Sequence, residues 1–256
     1  MRIFLMFVVL VILWTSDVAR TQEKQKLLMP RHLSGGGVAD PAGKTGFFPN
    51  TSGGIDAIEL ATGKVLWSSK DAHRPLLATD DRLFVQAGKS NTVRVLALDT
   101  SKEGKRVLES PPIALADWVS VEVAYGRSFR SGVRADDKHV WLSWEARAFY
   151  AGGARPPPEV EKRARKVASG VARVDLETGK VQALTEEQIA AGKFLPVPGE
   201  AVNPKVGELM LVLKDGQAKN AKTPFEKRRT LQALSEAKEV VWHLDIAAPI
   251  LLPPKP

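Results

Sequence analysis

A chain of 256 residues with 44% apolar content holds one large or two small globular domains and has enough apolar surface for a genuine core. Its 37 Lys and Arg against 29 Asp and Glu give a formal charge of +8, which favours acidic polymers and anionic surfaces as partners without specifying one. The lack of any cysteine excludes disulfides, thiolate metal sites, a cysteine nucleophile and a lipid-bearing cysteine.

The chain starts MRIFLMFVVLVILWTSDVARTQ, with one Arg, an apolar run from Ile3 to Trp14 and then polar residues around a small one, Ala19. This is the shape of a secretory signal. Twelve apolar residues make a helix of only about 18 Å, too short for the hydrocarbon core. Residues 1–19 are therefore expected to be a signal peptide, and the mature protein to be exported, periplasmic or extracellular. Asp17 stands where a small uncharged side chain is normally wanted before the cut, so an uncleaved anchor, and with it a membrane attachment, stays open. Residues 20–44 are expected to form a flexible N-terminal segment ahead of a domain over 45–256.

Within that domain one pattern recurs. GIDAIELATGKVLWSS (54–69), TVRVLALDTSKEGKRVLES (92–110), SGVARVDLETGKVQAL (169–184) and RTLQALSEAKEVVWHL (229–244) each join an alternating apolar segment to a second one through a polar turn. Period-2 alternation on both sides of a turn predicts a β-hairpin. The Gly-Lys pairs invite comparison with a phosphate-binding loop, but such a loop needs Gly five residues earlier, Ser or Thr next, and a helix after it. Ile58 and Val65 occupy those positions in the first copy, Val174 and Val181 in the third. The Gly is expected to supply a positive φ, and Thr62 and Thr178 to bond the local backbone.

Between the copies stand further short strands. DAHRPLLATDDRLFVQAG (71–88) reads as two strands around Asp80-Asp81; DWVSVEVAYG (117–126) and DDKHVWLSWEARAFYA (136–151) read likewise, with Asp136-Asp137 at a turn. GGARPPPEVEKRARKVASG (152–170) is expected to be a solvated insertion with one or two helical turns. TEEQIAAG (185–192) has Thr185 and Gln188 at capping-box spacing and Gly192 as a stop. HLDIAAPILLPP (243–254) imitates SKDAHRPLLATD (69–80), which predicts a C-terminal strand that completes the first blade and closes a ring, leaving the chain complete. The fold class is thus all-β: a small propeller of about four four-stranded antiparallel blades. A fifth blade within 111–168, or an incomplete ring that pairs with another chain, are the alternatives.

The repeat resembles that of pyrroloquinoline-quinone-type (PQQ-like) β-propellers, of the quinoprotein alcohol dehydrogenase-like superfamily, whose blades carry a motif of the form ALD-x-x-T-G-K-x-x-W. The matching residues are Ala57, Thr62, Gly63, Lys64 and Trp67 in the first copy, Ala97, Leu98 and Asp99 in the second, Asp175, Thr178, Gly179 and Lys180 in the third, and Ala233 and Trp242 in the fourth. Ala183 falls where counting places the third Trp. In repeat type alone the chain also resembles the propeller lipoprotein scaffold of outer-membrane protein assembly, whose lipid-bearing cysteine is missing here.

Little catalytic chemistry is visible. His32, His73, His139 and His243 share no metal-ligand spacing, there is no Gly-x-Ser-x-Gly elbow, and Ser120, Ser128, Ser131 and Ser143 have no identifiable base. The Asp-Asp pairs suit turns better than calcium. The quinone enzymes of the resembled family use an adjacent-cysteine disulfide, a catalytic Asp and a calcium site; no cysteine and no matching carboxylates stand here. No catalytic or metal-binding residue is assigned and no cofactor is expected; PQQ and calcium stay open as alternatives that no residue here supports. The segment VWLSWEARAFY (140–150) puts Trp141 and Trp144 on opposite faces of a strand, near Arg127, Arg130, Arg134 and Arg147; these are the candidate ligand contacts, with core filling as the plainer role.

Three functional readings follow. The first is an exported, non-catalytic propeller that binds a protein or polymer partner in the cell envelope, with no specific nucleic acid. The second is a PQQ-dependent or sugar-processing enzyme with site residues converging from several blades. The third is a polyanion-binding module using Arg163, Arg165, Lys166, Lys227, Arg228 and Arg229.

Overall fold

The computed structural model describes residues 27–121, 127–148, 158–159, 165–192, 205–217 and 227–247. Four antiparallel sheets account for nearly all of the regular structure. The first, in spatial order, is β1 (Arg31–Leu33), β2 (Gly37–Ala39), β3 (Thr45–Pro49), β4 (Ile55–Glu59) and β5 (Val65–Ser69). In the second, β6 (Arg74–Ala78), β7 (Arg82–Ala87) and β8 (Thr92–Asp99) are consecutive, and β8 pairs with both β9 (Lys105–Glu109) and β10 (Ile113–Ala114). The third is β11 (Arg127–Ala135), β12 (His139–Ala148), β13 (Val167–Asp175) and β14 (Val181–Ala183); the fourth is β15 (Lys205–Val206), β16 (Leu209–Gln217), β17 (Lys227–Leu234) and β18 (Val240–Ile246). The molecule is a small all-β propeller whose blades are these sheets.

Each recurring hairpin forms the last pair of a blade: β4–β5, β8–β9, β13–β14 and β17–β18. Gly63, Gly104 and Gly179 turn them with φ of 74°, 75° and 70°; in the fourth, Lys238 takes the left-handed conformation at 62°. The Gly-Lys pair therefore sits in a turn between strands. The acidic residue four positions before each glycine, or five in the longer second copy, caps the turn: Glu59 accepts from Thr62 Oγ1 at 2.5 Å, Asp99 from Ser101 N at 3.0 Å, and Asp175 from Thr178 N at 2.7 Å.

A shared irregularity decides what the second strand of each hairpin does. In three blades the register shifts at one equivalent place, between Ala57 and Ile58, Ala97 and Leu98, and Ala233 and Leu234. Such a bulge re-aims the side chain beyond it. Trp67, Leu108 and Trp242 thereby come to lie opposite the small residues Ala57, Ala97 and Ala233. The third hairpin pairs without a shift, Val174 with Val181 and Arg173 with Gln182. Its equivalent of the tryptophan is therefore Gln182, and counting to Ala183 is corrected by one residue because the bulge is missing.

The re-aimed rings join neighbouring blades. Trp242 of the fourth blade is 7% exposed, donates its indole N–H to the Leu60 carbonyl at 2.9 Å, and lies against the Gly63 turn of the first blade. Trp67 of the first blade lies against the Gly104 turn of the second and within 5.7 Å of Phe47. A Cβ on Gly63 would stand 2.6 Å from Trp242 Cγ, and one on Gly104 2.5 Å from Trp67 Cζ3. The glycines are needed for the turn and for the closeness of the ring.

Three apolar clusters fill the junctions, so the blades pack in the order fourth, first, second, third. Phe48, Ile58 and Leu60 meet Leu211, Leu231, Trp242 and Ile246. Phe47, Ile55 and Ala57 meet Leu83, Val85 and Leu98. Leu77, Phe84 and Val95 meet Val133, Leu142 and Val174. Among the described residues no comparable cluster joins the third blade to the fourth.

The N-terminal segment spans that place instead. Leu28 exchanges both backbone hydrogen bonds with Ala135 of the third blade and packs on its cluster. Five residues later Leu33 is buried with the fourth-blade core, and Ser34 donates to the Leu211 carbonyl at 3.2 Å. The expectation of a flexible segment up to residue 44 is corrected for 28–39: two strands and a bridge form there because Leu28, Leu33, Val38 and Ala39 have apolar surface to bury. The first blade thus obtains its leading strands, β1 and β2, from this upstream segment.

Other expectations sort as follows. Residues 127–148 are the first two strands of the third blade, which removes a fifth blade from that stretch. Residues 117–118 form a turn, with Val119 N bonded to the Ala116 carbonyl, where a strand was expected. β13 starts at Val167, so the last residues of the 152–170 insertion are strand. The helix α1 (Glu186–Ala191) carries both capping-box hydrogen bonds from Thr185 and Gln188. The signal segment 1–19 and the proposed closing strand at 249–252 lie outside the described residues, although Ala247 N reaches the Pro49 carbonyl at 3.0 Å. No described helix is long and apolar enough to cross a membrane.

Candidate binding face

The third blade has two unlike faces, because alternate residues of a strand point to opposite sides. Val133, Ala135, Val140, Leu142, Ala146, Ala172 and Val174 turn toward the second blade and are buried. Ser131 faces the same way and donates to Gln86 of the second blade, both buried. Trp144 is packed on this cluster too, covering Gly170 directly across the ladder. An aromatic over a cross-strand glycine repairs the surface that the glycine leaves bare.

Trp141 is on the opposite face. Its direct neighbours are Arg134 on β11 and Arg173 on β13, and Arg173 in turn pairs with Gln182 on β14, donating to it at 2.6 Å. One straight cross-strand row thus reads Arg134, Trp141, Arg173, Gln182, with the three larger side chains partly exposed. His139 lies 5.5 Å from the Trp141 ring at its side, and its own Nδ1 is 3.6 Å from the carboxylate of Asp136. Further along the face Arg130 stands opposite Glu145, which holds Arg147 at 2.6 Å. The face therefore carries four guanidinium groups (Arg130, Arg134, Arg147, Arg173) around an indole, with the carboxylate of Glu145 among them and those of Asp136 and Asp175 at the His139 end.

This arrangement suits a flat or anionic ligand. Guanidinium groups match carboxylate geometry in pairs and stack on aromatic planes, and an indole offers a large rigid contact area. The support is rigid, since β11, β12 and β13 form two ladders of nine residue pairs each. Between the two ends of the face Ser143 and Val171 are buried, the Ser143 hydroxyl donating to the Gly132 carbonyl at 3.3 Å.

The sequence candidates are distributed unevenly over this face. Trp141 and Arg130 lie on it; Trp144 belongs to the core side; Arg127 pairs with Ala148 in the backbone ladder. Arg173 and Gln182 belong to the hairpin copy that reads as a repeat motif; the β12–β13 ladder puts Arg173 beside Trp141, and the missing bulge puts Gln182 beside Arg173. The motif residues Ala57, Ala97, Ala233, Thr62, Gly63, Gly179, Trp67 and Trp242 are engaged in turns and inter-blade packing.

The basic run proposed for polyanions does not form one patch. Arg228 grips Asp245 through two nitrogens at 2.6 to 3.0 Å, and Thr230 adds a bond to the same carboxylate; these partners hold Asp245 below its usual range and raise Arg228 above its own. Arg229, the next residue along the strand, points to the other face and pairs with Asp215 at 2.7 Å. Arg163 lies outside the described residues. His73 Nδ1 lies 2.8 Å from the Gly53 carbonyl, and Asp136 caps its turn through the amides of Lys138 and His139. Among the described residues no group of three or more His, Asp or Glu stands in an arrangement that could hold a metal ion.

No protein-family model matches the chain, and no curated protein matches it. Among solved structures it is similar to BamB from Moraxella catarrhalis, at 12% sequence identity and a TM-score of 0.26, over 80% of this chain and 62% of that one. The chain spans less than two thirds of the length of the structure it matches.

Proposed function

We propose that this protein is an exported, non-catalytic propeller that binds an acidic segment of a protein partner in the cell envelope through the outer face of its third blade. The observation that carries the reading is the row Arg134, Trp141, Arg173 on a rigid ladder, flanked by Arg130 and Arg147. Its chemistry is recognition: planar cations around a partly exposed indole. The motif residues of the PQQ-like repeat support a scaffold, since they hold blades together. The reading calls for neither PQQ nor calcium.

The test is a binding measurement on the exported protein, using poly-glutamate as the probe and a salt series. Tight binding at low salt that weakens as ionic strength rises is expected, because exposed charges are screened. The double variant Arg134→Ala/Arg173→Ala should bind about ten-fold or more weakly at low salt while still melting in one cooperative transition. Equal binding by the variant overturns the face. The absorption spectrum of protein expressed with PQQ and calcium supplied tests the other half: a stoichiometric quinone overturns the non-catalytic reading. The mass of the same sample reports whether residues 1–19 are removed.

A further inference from the structure

The second and third blades meet through the same turn geometry as their neighbours, without the ring. Leu108 occupies the position of Trp67 and Trp242, opposite Ala97 after the same bulge, and packs toward the third blade. Gly179 turns the third-blade hairpin like Gly63 and Gly104, yet a Cβ built on it would meet only the Glu109 carbonyl oxygen, at 3.5 Å. At the other two junctions the same construction runs into an indole. Beside Gly179 lies an open groove of about 450 Å³, walled by Pro111, Pro112 and the turn Thr178–Lys180, with Arg94 and Glu109 at its side.

The groove is built to keep its shape. Ser110 is 2% exposed; its hydroxyl accepts from Val95 N at 3.0 Å and donates to the Pro111 carbonyl at 3.0 Å, so the two prolines are pinned to β8. Glu109 is held by Arg94 at 2.5 Å and by Arg106 at 2.8 Å. Proline rings and a glycine peptide are flat, apolar surfaces of low conformational freedom, the kind that aromatic rings cover in proline recognition. The volume lies within the range of small-ligand sites.

We infer that this groove is a seat for an aromatic ring supplied in trans: a tryptophan side chain of a partner segment, with an acidic neighbour facing Arg94 and Lys180. The occupant is identified by the two sister seats, which the chain fills with its own indoles. In both filled seats the ring lies directly over the turn glycine, the position that Gly179 presents to the groove. The inference rests on reading the chain as a protein-binding scaffold, and adds a second point of attachment on another surface.

The experiment titrates the full-length protein with the blocked peptide Asp-Trp-Asp carrying 5-fluorotryptophan, observed by ¹⁹F NMR. Saturable binding is expected for the wild type. Leu108→Trp fills the seat from inside, and should weaken the peptide at least ten-fold while raising the melting temperature by roughly 2–4 °C. Lys180→Glu, on an exposed turn, reverses the rim charge and should weaken it several-fold without moving the melting temperature; it keeps the test decisive if the larger ring disturbs folding. Absence of saturable binding, or equal binding by wild type and both variants, overturns the seat. Poly-glutamate binding lost in Arg134→Ala/Arg173→Ala but intact in Leu108→Trp leaves the outer face standing on its own. Loss of the fluoropeptide only in the seat variants separates the two sites.

Discussion

The junction between the fourth and first blades and the one between the second and third use the same hairpin turn and differ in one side chain. At the former an indole lies on Gly63, hydrogen-bonds Leu60 and is nearly buried; at the latter Leu108 stops short of Gly179 and a groove opens. The comparison teaches that the glycine turn has two separable functions. It bends the chain wherever φ is near +70°, and it serves as a platform only where a ring arrives. Blade packing can tolerate one unfilled platform, because Phe84, Val95, Val133 and Leu142 still close the junction from inside.

The largest effect that would sharpen this comparison comes from removing a ring. Trp242→Ala should cost about 3–5 kcal/mol in denaturant unfolding, since it deletes a buried aromatic and orphans the Leu60 carbonyl. Trp67→Ala should cost less, about 2–3 kcal/mol, because its ring is partly exposed. Similar losses for Trp67→Ala and Leu108→Ala would break the distinction between filled and unfilled seats.

Next in size is the segment that stands where the third and fourth blades share no described core. Leu33→Ala should destabilise by about 2–4 kcal/mol, the usual cost of emptying a buried leucine site. Hydrogen exchange offers the finer readout: the amides of Leu28 and Ala135 should slow together and lose protection together in that variant, because they bond each other. Rapid exchange at both in the wild type would return the segment to the flexible state that its sequence suggests.

A smaller contrast separates the two glycines directly. Gly63→Ala forces a Cβ against the Trp242 ring as well as a left-handed alanine, and should cost about 2–3 kcal/mol. Gly179→Ala meets only the Glu109 carbonyl oxygen, at an ordinary contact distance of 3.5 Å, and should cost about 1 kcal/mol, the conformational part alone. Equal losses would mean that the ring contact at Gly63 yields without resistance.

The smallest effect is electrostatic. Hydrogen bonds from Ser101, helped by Lys102, lower the Asp99 carboxyl to about 2, below its unfolded value. A depressed carboxyl stabilises the fold above its unfolded pKa, near 4, and loses that contribution as pH falls toward 2. Asp99→Asn should therefore melt slightly below wild type between about pH 5 and pH 7, with the gap closing from about pH 4 to about pH 2. A pH-independent gap would show that the turn uses Asp99 only for its shape.

Much of this was readable beforehand, for identifiable reasons. Period-2 alternation on each side of Gly63 or Gly179 is a local signal, so the four hairpins and the turn chemistry stand in the sequence itself. Thr185 and Gln188 likewise announce their cap through spacing alone. The candidate face was half legible: Trp141 and Arg130 fall on alternating positions of one strand, but Arg173 joins them only through a ladder to a strand more than thirty residues away, and Gln182 only because that hairpin lacks its bulge. Arg228 and Arg229 read as one basic run in the sequence, yet as consecutive strand residues they point in opposite directions, and each meets its own carboxylate.

By itself, then, the sequence determined the all-β class, the four repeated hairpins and the positions where glycine is obligatory, since these depend on side-chain periodicity and local backbone sterics. Tertiary structure alone decided which tryptophan meets which turn, that residues 28–39 link the third blade to the first and fourth, and that one platform receives no ring among the described residues. Those outcomes depend on contacts between residues distant in the chain, where burying apolar surface outweighs the entropy of ordering a segment that local pattern leaves undetermined.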